Sequence, residues 1–230
     1  MIKDILGDVS SYKSILCLDG NLMHSGFIAD FELPKIATDG AANQLVSHGI
    51  TPDLIIGDLD SVSPELLTEF NHLRLDDQDT SDFQKALAYM AENALLPCII
   101  FGMSGGYIDH IINNINIFLS YDENVFIDGS IIGFKIIGKN KFQLPINTKL
   151  SILGIPKCEI TTSGLKWELN SACLTFASYE PQSKLFGYSS CFNRTASSNF
   201  EIDIISGTAL LLVYSENIID AGYTLGHAKK

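Results

Sequence analysis

Arginine is nearly missing from this chain. Only Arg74 and Arg194 occur in 230 residues; lysine brings the basic total to 15, against 27 Asp and Glu, for a net charge of −12. A protein that grips a nucleic-acid backbone needs a basic stripe, and none is visible. An anionic membrane surface is an equally poor partner. Long hydrophobic runs are also lacking, since nothing approaches the run of about 18 apolar residues that spans a bilayer. The opening Met1-Ile2-Lys3-Asp4-Ile5-Leu6-Gly7-Asp8 has no basic end followed by a sustained apolar segment, so no signal peptide is expected. The cysteines (Cys17, Cys98, Cys158, Cys173, Cys191) are odd in number and show no CxxC spacing. Cys17 and Cys98 fall inside apolar runs, where a reduced thiol behaves as a small hydrophobe. That pattern is expected of a cytoplasmic protein. There is no GxxxxGK[ST], no GxGxxG and no GxSxG, which removes P-loop, dinucleotide-binding and serine-hydrolase chemistry. His24, His48, His72 and His227 show no metal-ligand spacing.

Apolar residues make up 46% of the chain, enough for a real core in one large domain or two modest ones. In the first 120 residues, short apolar runs alternate with segments of helical period. Strands are expected at 14–18, 35–38, 53–56 and 98–102. Phe83, Leu87, Met90 and Ala94 form a helical stripe, and Ser81-Asp82-Phe83-Gln84 has the spacing of a capping box. Ser63-Pro64-Glu65 reads as another helix start. Strands alternating with helices argue for a mainly parallel sheet, whose ligands sit beyond the carboxyl ends of the strands. After about residue 123 the pattern changes to short β-rich runs at 124–127, 131–137, 149–153, 158–162, 172–176, 201–205 and 209–214. Such runs suggest a β-sandwich or a barrel-like domain. The expected organisation is an α/β domain over 1–140 followed by a β domain over 141–230.

What the chain has in excess is aspartate next to glycine. Gly57-Asp58-Leu59-Asp60-Ser61 follows the apolar run Leu54-Ile55-Ile56. At extended spacing its two carboxylates would point the same way, roughly 6–7 Å apart. At an effective dielectric near 20 they would repel by roughly 2–3 kcal/mol. Alone, the segment reads as a helix-capping turn. The acidic loop Asp76-Asp77-Gln78-Asp79-Thr80-Ser81-Asp82, the turn Gly105-Gly106-Tyr107-Ile108-Asp109-His110 and the segment Ala37-Thr38-Asp39-Gly40-Ala41-Ala42-Asn43 have equally plain readings one at a time. Together they put Asp39, Asp58, Asp60, Asp82 and Asp109 in connections that follow strands of one α/β unit. Five carboxylates on one rim call for cations. Hard oxygen donors suit Mg²⁺, which favours a few carboxylates plus phosphate oxygens. Glycines 40, 57, 105 and 106 would let backbone N–H groups approach such phosphates.

These segments resemble, in order, the motifs of the thiamine pyrophosphokinase family. Thr38-Asp39-Gly40-Ala41-Ala42-Asn43 is similar to its DGxAN segment, and Gly57-Asp58-Leu59-Asp60-Ser61 to its GDxDS segment. Asp79-Thr80-Ser81-Asp82, Gly105-Gly106-Tyr107-Ile108-Asp109-His110 and Gly164-Leu165-Lys166-Trp167 follow, so the resemblance runs from about Leu18 to Val213. It implies a Rossmann-like parallel-sheet catalytic domain and a C-terminal β-sandwich domain. The implied reaction passes the pyrophosphoryl group of ATP to the hydroxyl of thiamine, giving AMP and thiamine diphosphate. Alternatives are a pyrophosphokinase of another heterocyclic alcohol, of hydroxymethylpterin type, or a non-catalytic binder of thiamine diphosphate or nucleotide.

Carried over position by position, the resemblance gives Mg²⁺ to Asp58, Asp60 and Asp82 and places Asp109 beside the thiamine hydroxyl. The nucleotide side would be shaped by Asp39, Gly40 and Asn43, with Gly20, Asp79, Ser81, Lys85, Gly105 and Gly106. Trp167, the only tryptophan, would lie against the thiamine rings across a homodimer interface, where cation–π attraction favours a thiazolium. Ser190, Asn193 and Asn114 are further substrate-side candidates. Two positions depart from the family pattern. Its GGRxDH arginine is Tyr107 here, which removes a phosphate contact, and the threonine of its TD pair is Ser81, which keeps the hydroxyl.

Overall fold

The computed structural model describes residue 6 and residues 9–22, 28–176 and 189–215. His24 and His227 lie outside them. The described residues form two compact units: those from residue 9 to Gly129, and those from Ser130 onward together with Leu6.

The first unit contains six strands: β1 (Ser14–Cys17), β2 (Lys35–Thr38), β3 (Leu54–Gly57), β4 (His72–Arg74), β5 (Cys98–Phe101) and β6 (Val125–Asp128). They pair in parallel in the order β6-β5-β1-β2-β3-β4. β1 and β5 are buried at every residue, as strands covered on both faces must be. Among the described residues, the helices between the strands include α1 (Ala41–Ser47), α2 (Pro64–Glu69), α3 (Asp82–Glu92) and α4 (Ile108–Leu119). The capping box of α3 is formed as its spacing indicates: Gln84 N–H donates to Ser81 Oγ at 3.3 Å, and Ser81 N–H donates to Gln84 Oε1 at 3.0 Å. Phe83, Ala86, Leu87 and Met90 bury its inner face.

The chain lays β2, β3 and β4 outward on one side of β1, then returns to place β5 on the other side. The switch point therefore lies between the carboxyl ends of β1 and β5, where open α/β sheets hold their ligands. Two strands differ from expectation. β4 has no apolar run because it is a three-residue edge strand with His72 and Arg74 exposed. Residues 124–127, grouped above with the β-rich half, instead supply β6, the parallel partner of β5.

The second unit is antiparallel. Its strands are β7 (Ile131–Gln143), β8 (Lys149–Ser163), β9 (Ala172–Thr175), β10 (Ser189–Arg194) and β11 (Asn199–Tyr214). They run in the order β10-β8-β11-β7, with β9 on the same edge of β8 as β10. Position 140, where the sequence pattern was divided, lies inside β7. The runs at 201–205 and 209–214 are halves of one strand. Burial follows Phe200, Ile202 and Ile204, then shifts by one to Ala209, Leu211 and Val213. A register shift around Gly207 (φ 81°) makes the change, keeping one face buried while pairing continues. The runs at 149–153 and 158–162 are likewise parts of one strand, β8, continuous across Gly154-Ile155-Pro156, with Leu150, Ile152, Cys158 and Ile160 buried on one face. Leu150, Ile152, Ile160, Phe200, Ile202 and Leu211 are central to this core.

Candidate active site

β2 and β3 are each followed directly by an aspartate, Asp39 and Asp58, and α3 begins with Asp82. One carboxylate oxygen from each of Asp39, Asp58 and Asp82 lies within 4.8 Å of the others. Gly57 makes room for the cluster, because a Cβ there would stand 3.1 Å from Asp39 Cβ and 3.2 Å from Asp82 Cγ. Asp60 does not share the cluster. The strand stops at Gly57 and Leu59 turns left-handed (φ 64°), so positions 58 and 60 do not project together as they would in extended chain. Asp60 is exposed and accepts from Ser61 Oγ at 2.9 Å. Asp39, expected on the nucleotide side, takes its place beside Asp58 and Asp82.

Asp39 is 7% exposed and Ser61 N–H donates to it at 3.3 Å. Burial pushes its carboxyl up from the ordinary range; the Ser61 hydrogen bonds oppose this, and the charges of Asp82 and Asp60 add to it. Asp58 moves the other way. A hydrogen bond from Gln78 Nε2 at 3.1 Å, then one from Asp60 N–H, hold it below the usual carboxylate value. A carboxylate pushed up mainly by burial and hydrogen-bonded ones beside it make a donor set of hard oxygens that a divalent cation would relieve. The residues fit Mg²⁺.

The cluster is braced from several sides. Lys85, on the inner face of α3, places Nζ 3.0 Å from Asp82 Oδ1 with its side chain 6% exposed. Asn43 bridges α1 to the β3–α2 loop, donating to Ser61 O at 2.7 Å and accepting from Ser63 N–H at 2.9 Å. Ser81 caps α3, while the backbone N–H of exposed Asp79 donates to Asp77 Oδ1 at 3.0 Å. Gly40 opens α1 against Asp19, whose Oδ1 accepts from Gln44 Nε2 at 2.9 Å. A groove of about 710 Å³ runs beside α3, lined by Leu73, Leu75, Lys85, Tyr89, Ile117 and Tyr121 among others.

At the switch point the loops after β1 and β5 touch backbone to backbone. Asn21 N–H donates to Ser104 O at 2.6 Å, and a Cβ on Gly20 would fall 2.2 Å from Gly102 O. Gly105 (φ 114°) leaves its Cβ position 2.7 Å from Asn21 N, so only glycine fits. Gly106, next to it, is exposed. α4 follows. Asp109 stands exposed in its first turn and accepts the backbone N–H of His110 at 3.0 Å. Tyr107 and Ile108 are exposed beside it. Asn114, expected to touch substrate, donates to Met103 O at 3.1 Å and so ties α4 to the loop before it.

The remaining candidates meet in the second unit. Asn193, 1% exposed, accepts from Trp167 N–H at 3.2 Å and donates to Trp167 O at 2.7 Å and to Ser190 Oγ at 3.1 Å. Trp167 is thereby held by its backbone with its ring half exposed, and Lys166 Nζ lies 4.7 Å from the ring centre. Glu168 shapes the turn, accepting from Gly164 N–H and Leu165 N–H through Oε1 and from Thr162 through Oε2.

Sequence reading passed over Asp19, Gln44, Gln78 and Glu168. Asp19 carried a signal, an aspartate and glycine directly after a strand, as in the other rim segments. Gln44, Gln78 and Glu168 carried none, since each acts through a contact set by folding.

A parallel sheet with a carboxylate cluster beyond its strand ends defines an α/β protein suited to a metal–phosphate ligand. The family model described as "Thiamin pyrophosphokinase, catalytic domain" matches residues 32–127, the stretch holding that cluster. Thiamine pyrophosphokinase 3 of Oryza sativa subsp. japonica is 27% identical over 178 residues, 62% of this chain and 67% of that protein. Thiamine pyrophosphokinase 2 of Arabidopsis thaliana is 25% identical over the same shares. Among solved structures, thiamine pyrophosphokinase from Bacillus subtilis superposes with a TM-score of 0.72 at 20% identity, covering 89% of this chain and 100% of that one. The yeast enzyme also gives 0.72, at 17% identity and 93% and 89% coverage. The chain is thus similar to thiamine pyrophosphokinases in sequence over 62% of its length, and it shares the fold of those solved.

Proposed function

We propose that the protein is a Mg²⁺-dependent thiamine pyrophosphokinase, transferring the pyrophosphoryl group of ATP to thiamine. The observation that carries this reading is the meeting of Asp39, Asp58 and Asp82, contributed by three separate motifs, within the stretch that matches the family's catalytic domain. The thiamine hydroxyl oxygen attacks the β-phosphorus, the bond from that phosphorus to the α,β-bridging oxygen breaks, and AMP departs. Asp58 and Asp82 hold Mg²⁺ together with a third carboxylate, Asp39 or the motif's Asp60. A bound Mg²⁺ supplies charge neutralisation for the phosphates, the main need of such a transfer. Asp109 accepts the hydroxyl proton: one of its oxygens is engaged by His110 N–H and its exposure leaves room for substrate.

Gly20, Gly40, Gly105 and Gly106 admit phosphates close to backbone, and Asn43, Asp79, Ser81 and Lys85 shape the nucleotide side. The groove beside α3 has room for a base. Trp167, with Ser190 and Asn193 behind it, receives the thiamine rings, and Asn114 supports the substrate side through the loop it anchors. In this reading the second unit is a thiamine-binding β-sandwich, and the functional segments 1–140 and 141–230 meet within its first strand, β7. The enzyme works as a cytoplasmic homodimer with its active site at the subunit interface. Exposed Tyr107, Ile108 and Ile112 near Asp109 suit a subunit contact. No helix among the described residues is long and apolar enough to cross a membrane.

The test is incubation with ATP, Mg²⁺ and thiamine. AMP and thiamine diphosphate are expected in equal amounts, and chelation of the metal should stop both. ADP as the product, or turnover independent of thiamine, would overturn the assignment.

A further inference from the structure

Among the residues around the carboxylate cluster, Lys85 occupies the least ordinary position. A buried ammonium is costly unless it is paired, yet α3 gives a place on its inner face, between Phe83 and Ala86, to this one. The ammonium engages Asp82 Oδ1 at 3.0 Å. Three carboxylates and one ammonium leave two net negative charges, which one divalent cation balances.

We propose that Lys85 is a positioning residue that sets the cation preference of this cluster, holding Asp82 to single-oxygen ligation and thereby favouring Mg²⁺ over Ca²⁺. The proposal rests on the reading of the cluster as a metal site. Mg²⁺ is small, keeps near-octahedral geometry and retains waters, so it accepts a few one-oxygen carboxylates. Ca²⁺ takes six to eight oxygens and uses carboxylates with both oxygens. Oδ1 already gives one lone pair to the ammonium, which weakens it as a donor and disfavours ligation through both oxygens of Asp82. Removing the ammonium frees the second oxygen and adds a net negative charge, and both changes help Ca²⁺ more than Mg²⁺.

The experiment uses the full chain without nucleotide. Bound Mn²⁺ is followed by electron paramagnetic resonance while Mg²⁺ or Ca²⁺ displaces it, for the wild type and for Lys85→Met. The ratio of the two displacing concentrations should move toward Ca²⁺ by about tenfold in the variant. Lys85→Gln, which keeps an N–H donor without the charge, carries the same measurement should the methionine variant not fold. A ratio unchanged from the wild type in a folded variant overturns the role of Lys85 alone. A wild type that binds no Mn²⁺ at millimolar concentration overturns the metal site and, with it, this proposal.

Discussion

Aspartates 58 and 60 stand one residue apart, and the left-handed Leu59 between them turns their side chains different ways. Because Leu59 is left-handed, Asp58 faces Asp39 and Asp82, whereas Asp60 faces solvent and Ser61. The spacing in the motif was legible; the direction each carboxylate takes was not, since it depends on where β3 stops pairing. This gives an ordered expectation for substitutions. Asp58→Asn and Asp39→Asn should each lower the rate of AMP formation by about 10²–10³-fold, the scale of losing one preorganised charge-stabilising group. Asp60→Asn should cost less than either. Steady-state rates on variants whose circular dichroism matches the wild type check this, and an Asp60 effect exceeding that of Asp39 would return the third-ligand role to Asp60.

Among the elements, those legible in the sequence carry a cap, a period or a short apolar run: α3 with its capping box, α2 with Pro64 at its start, and the strands β1, β2, β3 and β5. β4 was missed because an exposed three-residue edge strand has no apolar signature. β8 and β11 were cut in two because Gly207 and the Gly154–Pro156 segment look like turns. In an antiparallel ladder such residues can be bulges, and only the partner strand decides. The loop crossing at the switch point belongs to this scale as well. Gly20→Ala would push a methyl group into Gly102 O and Ser104 O, so it should destabilise the protein by about 2–3 kcal/mol. Gly106→Ala meets no atom within 4 Å but must hold φ near 77°, which should cost about 1–2 kcal/mol. Urea unfolding of both variants is the measurement, and equal midpoints would show that the crossing of the two loops is not closely packed.

At the scale of the whole chain, the candidates divide between two compact units: carboxylates and glycines in one, Trp167 with Ser190 and Asn193 in the other. If each unit serves one substrate, Trp167→Ala should raise the KM for thiamine by about tenfold, the upper range of a desolvated cation–π contact, and leave the KM for ATP nearly unchanged. Steady-state titration of each substrate decides it; parallel rises in both would break the division. The sequence by itself determined the alternation of strands and helices, the change to β-rich pattern and the aspartate-glycine segments that mark the rim. Those are local properties, written in period, capping and turn residues. The tertiary structure alone decided that β6 completes the parallel sheet, that Asp39 joins Asp58 and Asp82, and that Lys85 is buried against them. Each of these depends on contacts between segments distant in the chain, and no local pattern encodes which oxygen or ammonium a neighbouring loop will meet.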